Sequence, residues 1–167
     1  MSGGTGWAID DGARLETLAD LGIGGESPPD PVLDAIVDRA AALCGTPVAL
    51  VTVLGEEHQW FKARVGTEFT GTPVGIAICA HTLAHGGTLV IPDLAADPRT
   101  AANPLVTDDP KVRFYAGVPL VHDGHMLGTL CVLDVAPHEG LGGDQLAGLT
   151  ALADEAVARI VAREGIG

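Results

Sequence analysis

The sequence predicts an α+β sandwich, with a central, mainly antiparallel sheet, the terminal helices on one face, and a short helix plus a long loop on the other. Three observations lead there. Apolar residues recur at helical spacing near both ends of the chain, short apolar strand patterns lie between them, and an irregular connection over about 93–111 interrupts the strands. A chain of 167 residues, 47% of them hydrophobic, is enough for one packed domain. That domain is expected over residues 13–164, after a Gly-rich, acidic and flexible N-terminal tail at 1–12.

Leu15, Leu18 and Leu21 mark a first helix over Arg14 to Leu21. Gly22, Gly24 and Gly25 end it, and Pro28-Pro29 keeps the following linker extended. Asp30-Pro31 then supplies an N-cap and a first-turn proline for a second helix. Its apolar face is wide (Val32, Leu33, Ile36, Val37, Ala40, Leu43), and Gly45 sits where a C-terminal cap belongs. Val48 to Leu54 is a near-continuous apolar run, as in a strand buried on both faces. From His58 to Val65, Trp60, Lys62 and Arg64 alternate with Phe61, Ala63 and Val65, as on a half-exposed strand.

Val74 to Ile78 is a further short strand pattern, Cys79 to His85 a brief helix, and Leu89 to Ile91 another strand. The connection from Pro92 to about Lys111 is long for a compact domain, and such connections often wall a binding site. Tyr115 to Val121 and Met126 to Asp134 form a hairpin about Asp123-Gly124. Met126 to Val132 is apolar on both faces, which places it centrally. A last helix from about Asp144 carries Leu146, Leu149, Ala153, Ala156 and Ile160.

The formal net charge of −13 and the scatter of nine Lys and Arg residues exclude nucleic acid and anionic membrane surfaces as partners. The start of the chain is neither basic nor apolar, and no stretch approaches a membrane span, so neither a signal peptide nor a membrane partner is expected. Three cysteines do not make a disulfide framework, and a cytoplasmic location follows as the expectation.

An ordered series of motifs carries more. It comprises Trp60-Phe61-Lys62-Ala63-Arg64, Cys79-Ala80-His81, Asp97-Pro98-Arg99, Asn103-Pro104-Leu105-Val106, Arg113 through Leu120, and Gly128 through Asp134. Taken together, this series resembles the GAF domain family, and most closely its bacterial sensory subgroup, over about Arg14 to Arg163. Within the subgroup's pattern the chain departs at Ile78, Thr100 and Ala102. The resemblance implies a GAF-like sandwich that holds a small molecule between the sheet and the covering loop. It also implies a homodimer through the terminal helices and a signalling output such as a histidine kinase, cyclase or phosphodiesterase. A chain of 167 residues leaves no room for that output, so either the module acts alone or the output part was cut away, and a separate signalling output protein is a possible partner.

The expected function is therefore a ligand-binding sensor module with no catalytic residues. Two alternatives stay open: a thiol-dependent redox enzyme of the free methionine sulfoxide reductase type using Cys79, and a degenerate domain that only dimerises. The candidate ligand-binding residues are Trp60, Cys79, His81, Asp93, Asp97, Arg99, Asn103, Arg113 and Tyr115. A loop that presents Asp, Arg and Asn over an apolar sheet offers the few orienting polar groups a ligand site needs. Equally, Asp97 and Arg99 can pair with each other and simply order the connection. Trp60 either lines the pocket or caps a sheet edge. Cys79 and His81 are good metal-ligand types, but only two are local, so no metal is expected and the ligand is left unnamed.

Overall fold

A computed structural model of the chain describes residues 8–25, 28–109 and 111–166. Six strands form one sheet: β1 (Val48–Leu54), β2 (His58–Val65), β3 (Gly71–Pro73), β4 (Leu89–Ile91), β5 (Phe114–His122) and β6 (His125–Asp134). Their order is β3-β2-β1-β6-β5-β4, and every neighbouring pair is antiparallel. β1 and β6 lie at the centre, as their apolar runs require.

Alternation along β1 divides the core. Ala49, Val51 and Val53 face one side, where they meet Leu18 of α1 (Gly12–Leu21), Ile36 and Ala40 of α2 (Pro31–Cys44), and Leu149 and Ala153 of α5 (Gly143–Ile166). Leu50 and Leu54 face the other side, with Tyr115, Met126 and Cys131. That side is covered by α3 (Cys79–His85) and by the 92–113 connection, which includes the single turn α4 (Pro104–Thr107). The sandwich thus has its long helices on one face and its short helix and loop on the other.

Local chemistry fixes the boundaries. Asp30 accepts a hydrogen bond from the Val32 amide, Pro31 occupies the first turn of α2, and Gly45 closes it in the left-handed conformation at φ 66°. Asp123 (φ 52°) and Gly124 (φ 78°) both take positive φ, the geometry of a type I′ hairpin turn. The expected strand at Val74–Ile78 is not one. β3 is Gly71–Pro73 and Val74–Ile76 form a 3₁₀ turn, because Pro73 already pairs with His58, where β2 begins and the ladder runs out.

A β-bulge in β2 has a larger effect. Val51 faces Ala63 while Thr52 faces Phe61, so Lys62 is the extra residue. Trp60, Ala63 and Val65 therefore share the helix side, whereas Gln59 and Phe61 point to the opposite side. At the sheet's end, the fully buried Arg14 of α1 reaches past the helix and donates to the carbonyls of Leu54 (2.7 Å) and Met126 (3.1 Å). It also donates to Ala8 and Ile9. Among the described residues, no helix is long and apolar enough to cross a membrane.

Candidate functional site

A cavity of about 470 Å³ opens on the sheet face opposite the long helices. Leu50 of β1, Phe61 of β2, Tyr115 of β5 and Cys131 of β6 form its floor. Ile78 and Cys79 from the start of α3, with Leu105 and Val112 of the covering connection, form its walls. Residues 66–69 edge it, and Phe69 (52% exposed) and Val135 (58% exposed) leave an apolar mouth. The volume lies within the range of small-molecule sites.

One polar group behind the cavity lining is unpaired among the described residues. Gln59 sits between Leu54 of β1 and Thr72 of β3, and the bulge one step beyond Phe61 keeps it on the cavity side. Its side chain is 3% exposed, and its Nε2 donates to Thr72 Oγ1 at 3.0 Å. Its Oε1 is buried without a hydrogen-bond partner among the described residues. Leaving such an acceptor unpaired costs about 1–3 kcal/mol, so the position is unusual unless something else fills it.

Behind the apolar lining lies a cluster of thiols and hydroxyls. Cys79 begins α3, with its Sγ 3.1 Å from Thr129 Oγ1, 3.8 Å from Thr52 Oγ1 and 3.9 Å from Cys131 Sγ. The Thr52 and Thr129 hydroxyls are 3.0 Å apart. Tyr115 meets the Thr82 hydroxyl at 2.7 Å, using space that Gly117 leaves, since a Cβ there would stand 2.0 Å from the phenol oxygen. Hydrogen bonding from Cys131 first, then from Thr129, Tyr115 and Thr52, brings the Cys79 thiol down to about 7, although burial pushes the other way. Burial pushes Cys131 and Tyr115 well above their usual values. Cys79 is thus the thiol of the pair that ionises first.

Of the expected site residues, Cys79 and Tyr115 line the cavity. The others are placed elsewhere. Asp97 accepts from the Arg99 amide, from its Nε at 3.0 Å and from its Nη2 at 2.7 Å, and this partnership holds the carboxyl near 2. Half-buried His81 feels this pair: burial, and then the Arg99 charge, lower its pKa. Asp93 accepts from the Ala95 amide. Asn103 caps α4 through the Leu105 amide (2.8 Å) and donates to Ile76 O (3.1 Å). Arg113 donates to the carbonyls of Val106 and Val112. Asp93, Asp97, Arg99, Asn103 and Arg113 thus order the connection and anchor it. Trp60 packs on the helix side of the sheet, over Gly55 and stacked on His58 at 6.1 Å.

Gln59, Phe61 and Thr72, with the apolar lining of Leu50, Ile78, Leu105 and Val112, are cavity residues that sequence reasoning missed. Plain alternation through β2 hid the first two, and a lone glutamine among apolar and aromatic neighbours was the signal available. Among the described residues, no group of three or more His, Cys, Asp or Glu side chains is placed to hold a metal ion.

Residues 28–160 match the model of the GAF domain family. The chain belongs to the GAF domain family. A cyclic di-GMP phosphodiesterase of Pseudomonas aeruginosa is 37% identical to this GAF domain over 132 residues, which is 78% of this chain and 22% of that protein. The chain therefore spans only about a fifth of the length of that curated relative. The GAF domain of an Acinetobacter phosphoenolpyruvate-protein phosphotransferase superposes with a TM-score of 0.68 at 16% identity, over 94% of this chain and 98% of that one. The free methionine-R-sulfoxide reductase of Neisseria meningitidis, solved with its substrate, gives 0.61 at 20% identity, over 95% and 96%. At such identities the likeness speaks for the GAF fold alone.

Proposed function

We propose that this GAF domain is a cytoplasmic, non-enzymatic sensor module that binds a small molecule in the cavity and signals as a homodimer through its long helices. The observation that carries the reading is the apolar cavity of about 470 Å³ on the sheet face opposite the long helices. The sheet lies between this cavity and the long helices. Along β1, Leu50 borders the cavity while its neighbour Val51 packs in the helix-side core. A ligand that prefers one arrangement of Leu105 and Val112 would bias that packing, which is what coupling requires. Asp97, Arg99, Asn103 and Arg113 act in this reading by holding the cover's shape.

Two further features support the assembly and its output. α2 leaves the apolar side chains of Val32 (45%) and Leu43 (37%) exposed on one face, on either side of the Arg39–Glu155 ion pair, and a second copy could cover them. Similarity to a cyclic di-GMP phosphodiesterase supports an output of that kind, regulated by this module. Native mass spectrometry of the purified protein and of Val32→Glu tests the reading. The wild type is expected as a dimer carrying a small-molecule adduct, and the variant as a monomer. A bare dimer would leave a domain that only dimerises, and a bare wild-type monomer would overturn the reading entirely.

The thiol pair favours a second reading, a sulfoxide reductase. The Cys79 thiolate would attack the sulfoxide sulfur, and with one proton taken up the oxygen would pass to Cys79 as a sulfenic acid while the thioether left. Cys131, with its Sγ 3.9 Å away, would then displace water to form a disulfide that an external dithiol reduces. Free methionine sulfoxide also carries a carboxylate, and no Lys, Arg or His lines the cavity among the described residues, so the sensor reading is preferred. Methyl methanethiosulfonate is expected to label Cys79 with a pH midpoint near 7, while Cys131 stays unlabelled. With dithiothreitol as reductant, no turnover of free methionine sulfoxide is expected. Turnover that disappears in Cys79→Ser would replace the sensor by the enzyme.

A further inference from the structure

We propose that Cys79 and Cys131 form a peroxide-responsive pair, in which a small neutral hydroperoxide oxidises Cys79 and Cys131 closes a reversible disulfide that draws the start of α3 onto β6. The inference goes beyond the sensor reading, since it needs no ligand in the cavity, and its oxidant differs in class from a sulfoxide. Three observations carry it.

The first is proximity. The two sulfurs lie 3.9 Å apart although 52 positions separate them along the chain. That gap exceeds an S–S bond by only about 2 Å. The second is the direction of the hydrogen bonds. The Thr52 and Thr129 hydroxyls meet at 3.0 Å, and one O–H satisfies that contact. The other O–H is left to donate to Cys79 Sγ, from Thr129 at 3.1 Å or from Thr52 at 3.8 Å. Donation to the sulfur favours its thiolate, in keeping with the lowered Cys79 pKa of about 7. The third is placement. Both residues border the apolar cavity, and a small peroxide carries no charge, so it enters without the ion partner that a carboxylate needs. Cys44 lies in the helix-side core, its thiol pushed up to about 11 by burial, and serves as an internal control.

In the first step the Cys79 thiolate attacks a peroxide oxygen and the O–O bond breaks. Cys79 becomes a sulfenic acid, and the departing hydroxide or alkoxide takes the proton that Cys79 gave up on ionising. The Cys131 sulfur then displaces hydroxide from the sulfenic acid, and that hydroxide leaves as water with the Cys131 thiol proton. Two thiols lose two electrons, the peroxide gains them, and an external dithiol reverses the bridge. β6 is hydrogen-bonded to a strand on each side, whereas α3 is a helix of seven residues, so α3 is the element that moves. Its first residue walls the cavity, so oxidation reshapes that space.

Thiol mapping after peroxide treatment tests this. The three cysteines fall in separate tryptic peptides, 40–62, 65–99 and 114–159, so each pairing is distinguishable. Reduced wild type, freed of reductant and exposed to hydrogen peroxide, is expected to drop from three free thiols to one. Peptides 65–99 and 114–159 should then be linked, with Cys44 still reduced. Dithiothreitol should restore all three thiols. In Cys131→Ser, Cys79 should stop at the sulfenic acid and be captured by dimedone, and the wild-type peptides decide the matter even if this variant does not fold. Amide exchange across α3 should slow in the bridged wild type and recover on reduction. Three thiols that survive peroxide, a link that includes Cys44, or a Cys79 sulfonic acid in place of the bridge overturns the pair while leaving the sensor reading standing. A bridge with unchanged exchange across α3 overturns its coupling to the cavity wall.

Discussion

Replacing Arg14 with methionine is expected to remove about 3 kcal/mol of folding stability and to lower the melting temperature by about 10 °C. The guanidinium is fully buried, and its partners are carbonyls: Leu54 at the end of β1, Met126 near the start of β6, and Ala8 and Ile9 ahead of α1. Methionine keeps the apolar stem but removes every donor, leaving the Leu54 and Met126 carbonyls buried and unpaired. Each such group costs about 1–3 kcal/mol. Relief from burying a cation offsets part of that cost, as the lowered Arg14 pKa, caused mainly by burial, indicates. Arg14→Lys should recover less than half of the loss, because an ammonium cannot span donors that the planar fork reaches together. Urea unfolding followed by circular dichroism checks this. A midpoint unchanged in Arg14→Met would mean that the carbonyls find other partners.

Gly128→Ala is expected to be more damaging still, costing more than about 4 kcal/mol and leaving little soluble folded protein. Gly128 lies on β6 opposite Val53 of β1 and Leu120 of β5. A Cβ there would stand 1.8 Å from the Thr52 carbonyl oxygen and 2.6 Å from its carbon. Both atoms belong to the backbone of a central strand, so no rotamer change relieves the clash, and separating β1 from β6 would open both cores. Gly75→Ala is the matched control: nothing lies within 4 Å of its added carbon, and its stability should stay within about 0.5 kcal/mol of wild type. Soluble yield and unfolding midpoints of the two variants decide the comparison. A well-folded Gly128→Ala would show that the two central strands can separate at little cost.

Much of this architecture was legible because local signals and tertiary demands agree. The Asp30-Pro31 start and Gly45 end of α2, the Asp123-Gly124 turn and the apolar runs of β1 and β6 each state in sequence what the fold then uses. The site was less legible for two physical reasons. The polar residues of the 93–113 connection are drawn to partners close in sequence, as with Asp97 and Arg99, and such local bonds fix the chain at little entropic cost. The residue left unpaired, Gln59, depends on Thr72 arriving from another strand and on a bulge that no pattern announces. Val74–Ile76 differed from expectation for a related reason: apolar composition alone cannot say where a neighbouring strand ends.

The extra residue in β2 also governs what a motif can report. Gln59 and Phe61 border the cavity while Ala63 and Val65 join the helix-side core, although all four are odd-numbered. Trp60-Phe61-Lys62-Ala63-Arg64 is therefore a signature of strand register, one word spelled across both faces of the sheet. Two chains that share those five letters share a way of counting along the strand. What each reads out of its solvent is written in the residues beside them.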